Sequence, residues 1–200
     1  MLFKSTMFTG IIEAQGRILS IHDEGTNRHF TLNSPFTHEL RVDQSVAHDG
    51  CCLTVVAIEG DQYTVTAIQE TLNKTNLSKW EVGRVINLER CMPANGRFDG
   101  HIVQGHIDTT ATCIERKDLR GSWEFTFTYN EDHLTVEKGS ITINGVSLTV
   151  VNSSPKQFSV CIIPYTYEHT NFHEFMIGTV VNLEFDIIGK YVAKMLKNRL

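Results

Sequence analysis

The sequence has no run of eighteen apolar residues, so no stretch of it reads as a membrane-spanning helix. It has no excess of positive charge. Lys and Arg number 18 against 23 Asp and Glu, a formal charge of −5, and without a basic footprint nucleic acid is excluded as a partner. Cysteine is sparse: Cys51, Cys52, Cys91, Cys113 and Cys161 are odd in number and lack metal-ligand spacing, which predicts a reducing compartment. Adjacent Cys51 and Cys52 point to opposite faces of a strand, so they do not share a metal. A glycine-rich phosphate loop is missing. The opening MLFKSTMFTG has no apolar secretory core, which predicts a cytoplasmic protein.

What the sequence does contain is one pattern written twice. Ser45–Val55, SVAHDGCCLTV, returns 95 residues later as Ser140–Val150, SITINGVSLTV. The same offset relates Gly10 to Gly105, Ile12 to Ile107, Phe30 to Phe125, and Val65 to Val160. It also relates Thr71-x-x-x-Thr75-Asn76 to Thr166-x-x-x-Thr170-Asn171, and Asn87-Leu88-Glu89 to Asn182-Leu183-Glu184. A constant offset this long means a duplicated domain without net insertion, since solenoid repeats run about 20–50 residues. Each half reads as six short strands rich in Val, Ile, Thr and aromatics, the first over 10–20, the others over 29–33, 45–48, 51–58, 63–68 and 84–90. Six strands in so short a span predict a closed barrel, which removes exposed sheet edges. One helical segment per half is expected at Thr71–Trp80 and Thr166–Phe175. Met92–Gly100, with Pro, Asn and two Gly, reads as the linker. The predicted units are 7–97, 98–188 and a helix at 189–200, where Val192, Met195, Leu196 and Leu200 fall at helical spacing. That helix either docks on its own barrel or joins copies of the chain.

The doubled stretch suggests a function. Asp49-Gly50 and Asn144-Gly145 are two-residue hairpin signals. Such hairpins place Ser45, Ala47, Cys52 and Thr54 on one face, and Ser140, Thr142, Ser147 and Thr149 on its counterpart. Water-facing strand positions tolerate Lys, Glu and Arg, yet all eight are Ala, Cys, Ser or Thr. Small side chains leave room for a ligand to lie against the strands. The two walls differ where chemistry is at stake: Cys52 answers Ser147, Ala47 answers Thr142, and Ile11 answers His106. A thiol is a potential nucleophile, though mostly protonated at neutral pH. A histidine suits proton abstraction near neutrality. The asymmetry predicts two similar ligands held in unlike roles.

The chain resembles the alpha-type riboflavin synthases over Met7 to about Leu200. The resemblance rests on Met7-Phe8-Thr9-Gly10-Ile11-Ile12-Glu13, Ser45–Val55, Glu70-Thr71-Leu72, Gly100-His101-Ile102-Val103-Gln104-Gly105-His106-Ile107, Asn144–Val150 and Asn182-Leu183-Glu184. It implies an all-β fold of two tandem six-stranded Greek-key barrels with a C-terminal helix that trimerises the chain. It implies a dismutation without metal, flavin or nicotinamide: two molecules of 6,7-dimethyl-8-ribityllumazine give riboflavin and 5-amino-6-ribitylaminopyrimidinedione by transfer of a four-carbon unit. Each site is expected between the N-terminal barrel of one subunit and the C-terminal barrel of its neighbour, where stacking two heterocycles makes the reaction intramolecular. Carried onto this chain, Cys52 and Ser45 handle the nucleophile and His106 is the base for the acidic C7 methyl. Substrate contacts are expected from Phe8, Thr9, Gly10, Ile11, Ile12, Leu53, Thr54, Thr66, Ala67, Ile68, Gln69, Glu70 and Thr71. On the second wall they are expected from Gly105, Ile107, Lys138, Ser147, Leu148, Thr149, Ile162, Ile163, Pro164, Tyr165, Thr166, Tyr167 and Asp186. Asn144 stands where an aspartate is expected in some members, and Met1–Thr6 precede the usual start. The alternative is a non-catalytic lumazine or flavin carrier, which tends to lose the nucleophile and base that this chain keeps. His101, Asn87, Asn182, Glu89 and Glu184 read as structural.

Overall fold

The computed structural model describes residues 7–132 and 135–197; Met1–Thr6 and the end of the expected C-terminal helix, residues 198–200, lie outside them. The first half has strands β1 (Ala14–Glu24), β2 (Asn27–Asn33), β3 (Ser45–His48), β4 (Cys51–Glu59), β5 (Gln62–Ala67) and β6 (Val85–Arg90). They close in the order β1-β2-β5-β4-β3-β6, an antiparallel Greek-key barrel. Strands β7 (Thr109–Asp118), β8 (Trp123–Tyr129), β9 (Ser140–Ile143), β10 (Val146–Ser154), β11 (Gln157–Ile162) and β12 (Val180–Phe185) repeat that order in the second half. Even the bulges recur. Register slips between Ile18 and Ser20 in β1 and between Cys113 and Glu115 in β7, positions one repeat apart, and likewise at Val55/Ala57 and Val150/Asn152. Bulges bend a strand and sharpen its twist, which six strands need in order to close.

Alternation decides which side chains fill each barrel. Phe30, Leu32, Val46, Leu53, Val55, Tyr63, Val65 and Ile86 face inward in the first, and Phe125, Phe127, Ile141, Val150, Phe158, Val160 and Leu183 in the second. The helical segment predicted in each half is a short helix followed by a turn of 3-10 helix. These are α1 (Gln69–Lys74) with 3-10 residues Asn76–Lys79, and α2 (Pro164–His169) with Asn171–Glu174. The repeated threonines explain the break. Thr75 Oγ1 donates to Thr71 O and accepts from Leu77 N, closing one helix and capping the next turn. Thr170 does the same between Thr166 O and Phe172 N.

The barrels meet through their hairpin tips. Asp49 and Asn144 (φ 44° and 43°) with Gly50 and Gly145 (φ 80° and 81°) take the left-handed conformations of type I′ turns. Gly50 lies so close to its counterpart that a Cβ there would stand 2.7 Å from Gly145 N. Around this contact runs a buried amide network. Asn87 Nδ2 donates to Asn144 O and Asn171 Oδ1, and Asn171 N returns a bond to Asn87 Oδ1. Related by the repeat, Asn182 Nδ2 donates to Asp49 O and Asn182 Oδ1 accepts from Asn76 N. Asn144 is fully buried here, with Oδ1 accepting from Asn182 N, so its place in the fold is the barrel interface.

The first strand begins at Ala14, later than the expected Gly10. Residues 8–12 instead form an arm, and 103–107 form its counterpart. The arms pair with each other, Phe8 N donating to Val103 O and Val103 N to Phe8 O at 2.8 and 3.1 Å. The final helix, α3, spans Ile187–Lys197 and starts two residues before the expected Gly189. Asp186 caps it, Oδ1 accepting from Ile188 N, and Lys190 Nζ binds Asp108 at 2.8 Å. Beyond the half-buried Ile187, its large apolar residues do not dock on the barrel: Tyr191 and Met195 are each 64% exposed, and Ile188, Val192 and Leu196 are exposed as well.

Candidate active site

The hairpin register places the small residues as the alternation requires. Ala47 lies opposite Cys52 and Ser45 opposite Thr54; Thr142 lies opposite Ser147 and Ser140 opposite Thr149. The row through Ser45 and Thr54 continues to Thr66, whose Oγ1 is 2.9 Å from His29 Nδ1 across β2. In the second barrel the corresponding positions are Cys161 and Glu124. Neither His29 nor this pair was picked out in the sequence. They stand at the same alternate positions one and two strands further along, which was the signal available.

The walls are less open than the sequence reading expects. Each is covered at its centre by the arm that precedes the other barrel. Gly10 O accepts from Ser147 N at 2.7 Å, and Gly105 O accepts from Cys52 N at 2.9 Å. A Cβ on Gly10 would lie 2.6 Å from Ser147 Cβ, and one on Gly105 equally close to Cys52 Cβ. Both glycines have φ near +78°, a conformation that also disfavours a side chain. Phe8, fully buried, packs with Ala47 and Val103 beside Cys52 and Cys91. The small residues of the hairpins therefore make room for a backbone first, and what stays open lies around the arms.

On the first wall, Ser45, Cys52, Thr66 and Thr71 are half-buried, and Thr54, Ile68, Gln69, Glu70 and His106 are exposed. The Cys52 thiol is shifted upward by burial, partly opposed by a hydrogen bond with Ser45, and Glu184 pushes it further up. It is held as a neutral thiol, and nucleophilic use requires a base. Burial moves Cys51 higher still; it packs in the first core as a small apolar group. On the second wall, Lys138, Thr149, Ile163, Pro164 and Tyr165 are exposed, while Ser147, Leu148, Thr166, Tyr167 and Asp186 are half-buried. Tyr167 is engaged within the protein, its ring stacked on Trp123 at 3.8 Å and its hydroxyl accepting from Arg116 at 2.6 Å. The Tyr165 ring stacks on His169.

Three of the expected ligand contacts have only their backbone to offer a ligand. Leu53, Ala67 and Ile162 point their side chains into the cores, because they occupy the inward positions of β4, β5 and β11. Ile12 packs against the second core and Ile107 against the first, so these arm residues anchor each arm to the opposite barrel. Thr9 is buried under Glu89, whose Oε1 accepts from Thr9 N at 2.6 Å and from its Oγ1 at 2.9 Å, while Oε2 accepts from Gly10 N.

His101, read in the sequence as structural, sits on the second wall. Its Nδ1 is 2.6 Å from Ser147 Oγ and its Nε2 3.1 Å from Thr142 Oγ1. Burial lowers its pKa, with the charge of Asp186 acting the other way. There are two open clefts, of about 590 and 470 Å³: one reaches from Gln69 of the first wall to Asp23, Arg28, Asn73 and Lys79, and the other is lined by Gln15, Arg17, Asn33 and Ser34.

Comparison with known proteins bears on the duplicated wall directly. The family model of the lumazine binding domain matches twice, over residues 9–91 and 104–186. A riboflavin synthase of Actinobacillus pleuropneumoniae is 42% identical over 193 residues, covering 95% of this chain and 90% of that protein. One of Bacillus subtilis is 40% identical over 193 residues with the same coverage, and one of Schizosaccharomyces pombe is 33% identical over 203 residues, covering 96% and 94%. The chain belongs to the riboflavin synthase family. Among solved structures, LumP complexed with riboflavin matches with a TM-score of 0.82 at 24% identity, covering 89% of this chain and 98% of that one, a likeness of fold. Both matched domains open inside an arm, at Thr9 and Gln104, so the unit repeated in this riboflavin synthase family member includes the segment it lends to its twin.

Proposed function

We propose that the chain is a riboflavin synthase, a transferase that needs no cofactor. Two molecules of 6,7-dimethyl-8-ribityllumazine react, one giving a four-carbon unit to the other, with riboflavin and 5-amino-6-ribitylaminopyrimidinedione as products. The observation that carries this reading is similarity at 33–42% identity to curated riboflavin synthases along nearly the whole chain. The paired but unlike walls support it. Cys52 and Ser45 on the first barrel, next to His106 of the second arm, form the side of the site that adds a nucleophile and removes a proton from the C7 methyl. Ser147, Thr149 and Lys138, with His101 and Asp186, form the side that binds the second ring system. A neutral Cys52 thiol fits a nucleophile that is deprotonated only as it attacks.

The protein acts as a homotrimer in the cytoplasm, and each site is completed by the first barrel of one subunit and the second barrel of its neighbour. Two features support this arrangement. The centre of each wall is already taken by an arm within one chain, and α3 presents Ile188, Tyr191, Val192, Met195 and Leu196 to the outside. Among the described residues no helix is long and apolar enough to cross a membrane.

Purified protein incubated with the lumazine is expected to produce riboflavin, followed by its long-wavelength absorbance. Tight binding without product would instead identify a carrier, and neither binding nor product would overturn the reading.

A further inference from the structure

The two arms are each held by one buried carboxylate. Glu184 of β12 is 1% exposed, and its Oε1 accepts from Gln104 N at 2.7 Å. Its Oε2 accepts from Gly105 N at 2.9 Å and from His106 N at 3.0 Å. Three consecutive amides thus converge on one side chain. A carboxylate can accept all three, whereas an amide of the same size offers one acceptor oxygen and turns donors toward donors. The far side of the same segment lies on Cys52, whose N–H donates to Gly105 O. The carboxylate of the second barrel therefore sets where His106 stands relative to the thiol of the first.

We propose that Glu184 is a positioning residue for riboflavin formation, clamping the Gln104–His106 backbone so that His106 and Cys52 are presented together. The proposal rests on the roles given above to Cys52 and His106. Glu89 provides an internal comparison. It clamps Thr9 and Gly10 in the same way, but that arm lies on Ser147 and carries Ile11 where the other carries His106. The same device thus serves two purposes, presenting reactive groups on the first wall and shaping a binding surface on the second.

The clamp has a pH range of its own. Burial pushes the Glu184 carboxyl up to about 7; Asp108 adds to this, while the arm amides and Lys190 of α3 act against it. Its charge in turn adds to the burial that drives the thiols of Cys51 and Cys52 upward. Below neutrality the protonated group accepts the three N–H bonds less well, and the arm loosens from Cys52. Lys190, joined to Asp108, connects this balance to the C-terminal helix.

The test measures kcat and KM against pH for the full-length protein and for Glu184→Gln, Glu184→Asp and Glu89→Gln, with the rate of Cys52 alkylation by iodoacetamide. Glu184→Gln is expected to lower kcat about tenfold or more with KM changed by less than about threefold, and to remove the rise in kcat near neutral pH. Its Cys52 is expected to alkylate several-fold faster, as the covering arm loosens. Glu184→Asp should recover part of the loss in kcat. Glu89→Gln should act mainly on lumazine affinity. Unchanged kcat and alkylation in Glu184→Gln, or equal losses in both Gln variants with the wild-type pH profile, would overturn the proposal. Should Glu184→Gln fail to fold, Lys190→Met leaves the carboxylate in place. It should move the rise in kcat to higher pH, and an unmoved rise would count against the clamp. Wild-type protein that makes no riboflavin would overturn the functional reading, while the alkylation measurements would still decide whether the clamp exists.

Discussion

At the scale of single residues, the repeat supplies its own controls. His48, fully buried, joins Val46 O at 3.0 Å and Tyr63 Oη at 2.9 Å inside the first barrel. The second barrel holds Ile143 and Phe158 in the same two places, both buried. Burial lowers the His48 pKa from 6.5 to about 4. A histidine whose folded pKa is depressed binds its proton first in the unfolded chain, so stability is lost as pH falls from 6.5 toward 4. Across that window the loss is on the order of 3 kcal/mol. The double variant His48→Ile/Tyr63→Phe is expected to flatten this pH dependence in denaturant melts while folding normally. His48→Ile alone strands the Tyr63 hydroxyl and should cost about 1–3 kcal/mol. Glycine gives the opposite lesson. Gly105→Ala combines a left-handed φ with a Cβ forced on Cys52, and should cost about 1–3 kcal/mol from the backbone alone and reduce turnover further. Cys52→Ala and His106→Ala are each expected to reduce turnover more than lumazine affinity, since both groups act on developing charge. Unchanged kcat in either would remove that residue from the chemistry.

At the scale of elements, what the sequence disclosed depended on whether a position answers to its own strand or to another half of the chain. Alternation within Ser45–Val55 and its copy Ser140–Val150 set the faces of Cys52 and Ser147 correctly, because pairing in a two-residue hairpin leaves a strand no freedom of side. The arms were not legible in that way. Gly10–Ser20 has the composition of a strand, yet Gly10 to Glu13 pair with nothing in their own sheet until Glu13 N reaches Leu88 O. Their bonds to Glu89 and Ser147 are set by tertiary placement, which local preference does not encode. The repeat of Glu89 and Glu184 was visible, but their clamp on the arms was not. His101 escaped for the same reason, since nothing near it in the chain announces Ser147 or Thr142. The helix α3 was legible in its periodicity, and the apolar face that the periodicity builds is exposed. Removing Gly189–Leu200 is expected to yield monomers in sedimentation with little riboflavin synthesis, while each barrel keeps its fold. A fully active monomer would contradict a site shared between subunits.

At the scale of the whole molecule, the buried contact between the repeated halves carries an inequality of its own. The buried interface between barrels is built of paired asparagines, except that Asp49 takes the place corresponding to Asn144, with Arg84 3.6 Å away where the other half has Thr179. Burial raises the Asp49 carboxyl to about 6 in spite of Arg84, Asn87 and Asn171. A raised carboxyl stabilises the fold below its unfolded pKa and loses that contribution as pH rises through about 6. Asp49→Asn/Arg84→Thr copies the second half onto the first and should remove this component from the pH dependence of melting. Calorimetric titration should find two lumazine molecules per protomer, one for each barrel. Saturation at one would contradict the doubled wall.

The exchange of arms has a consequence for the covalent link between the halves. Pro93–Gly100 runs exposed, whereas the arms Phe8–Ile12 and Val103–Ile107 pair with each other and bond to the opposite barrels. The peptide joining the halves is thus the most dispensable of their attachments. A protease that nicks the chain in this connector should leave two fragments that migrate as one body on a native gel and part only in denaturant, clasped like folded hands whose wrists have been untied.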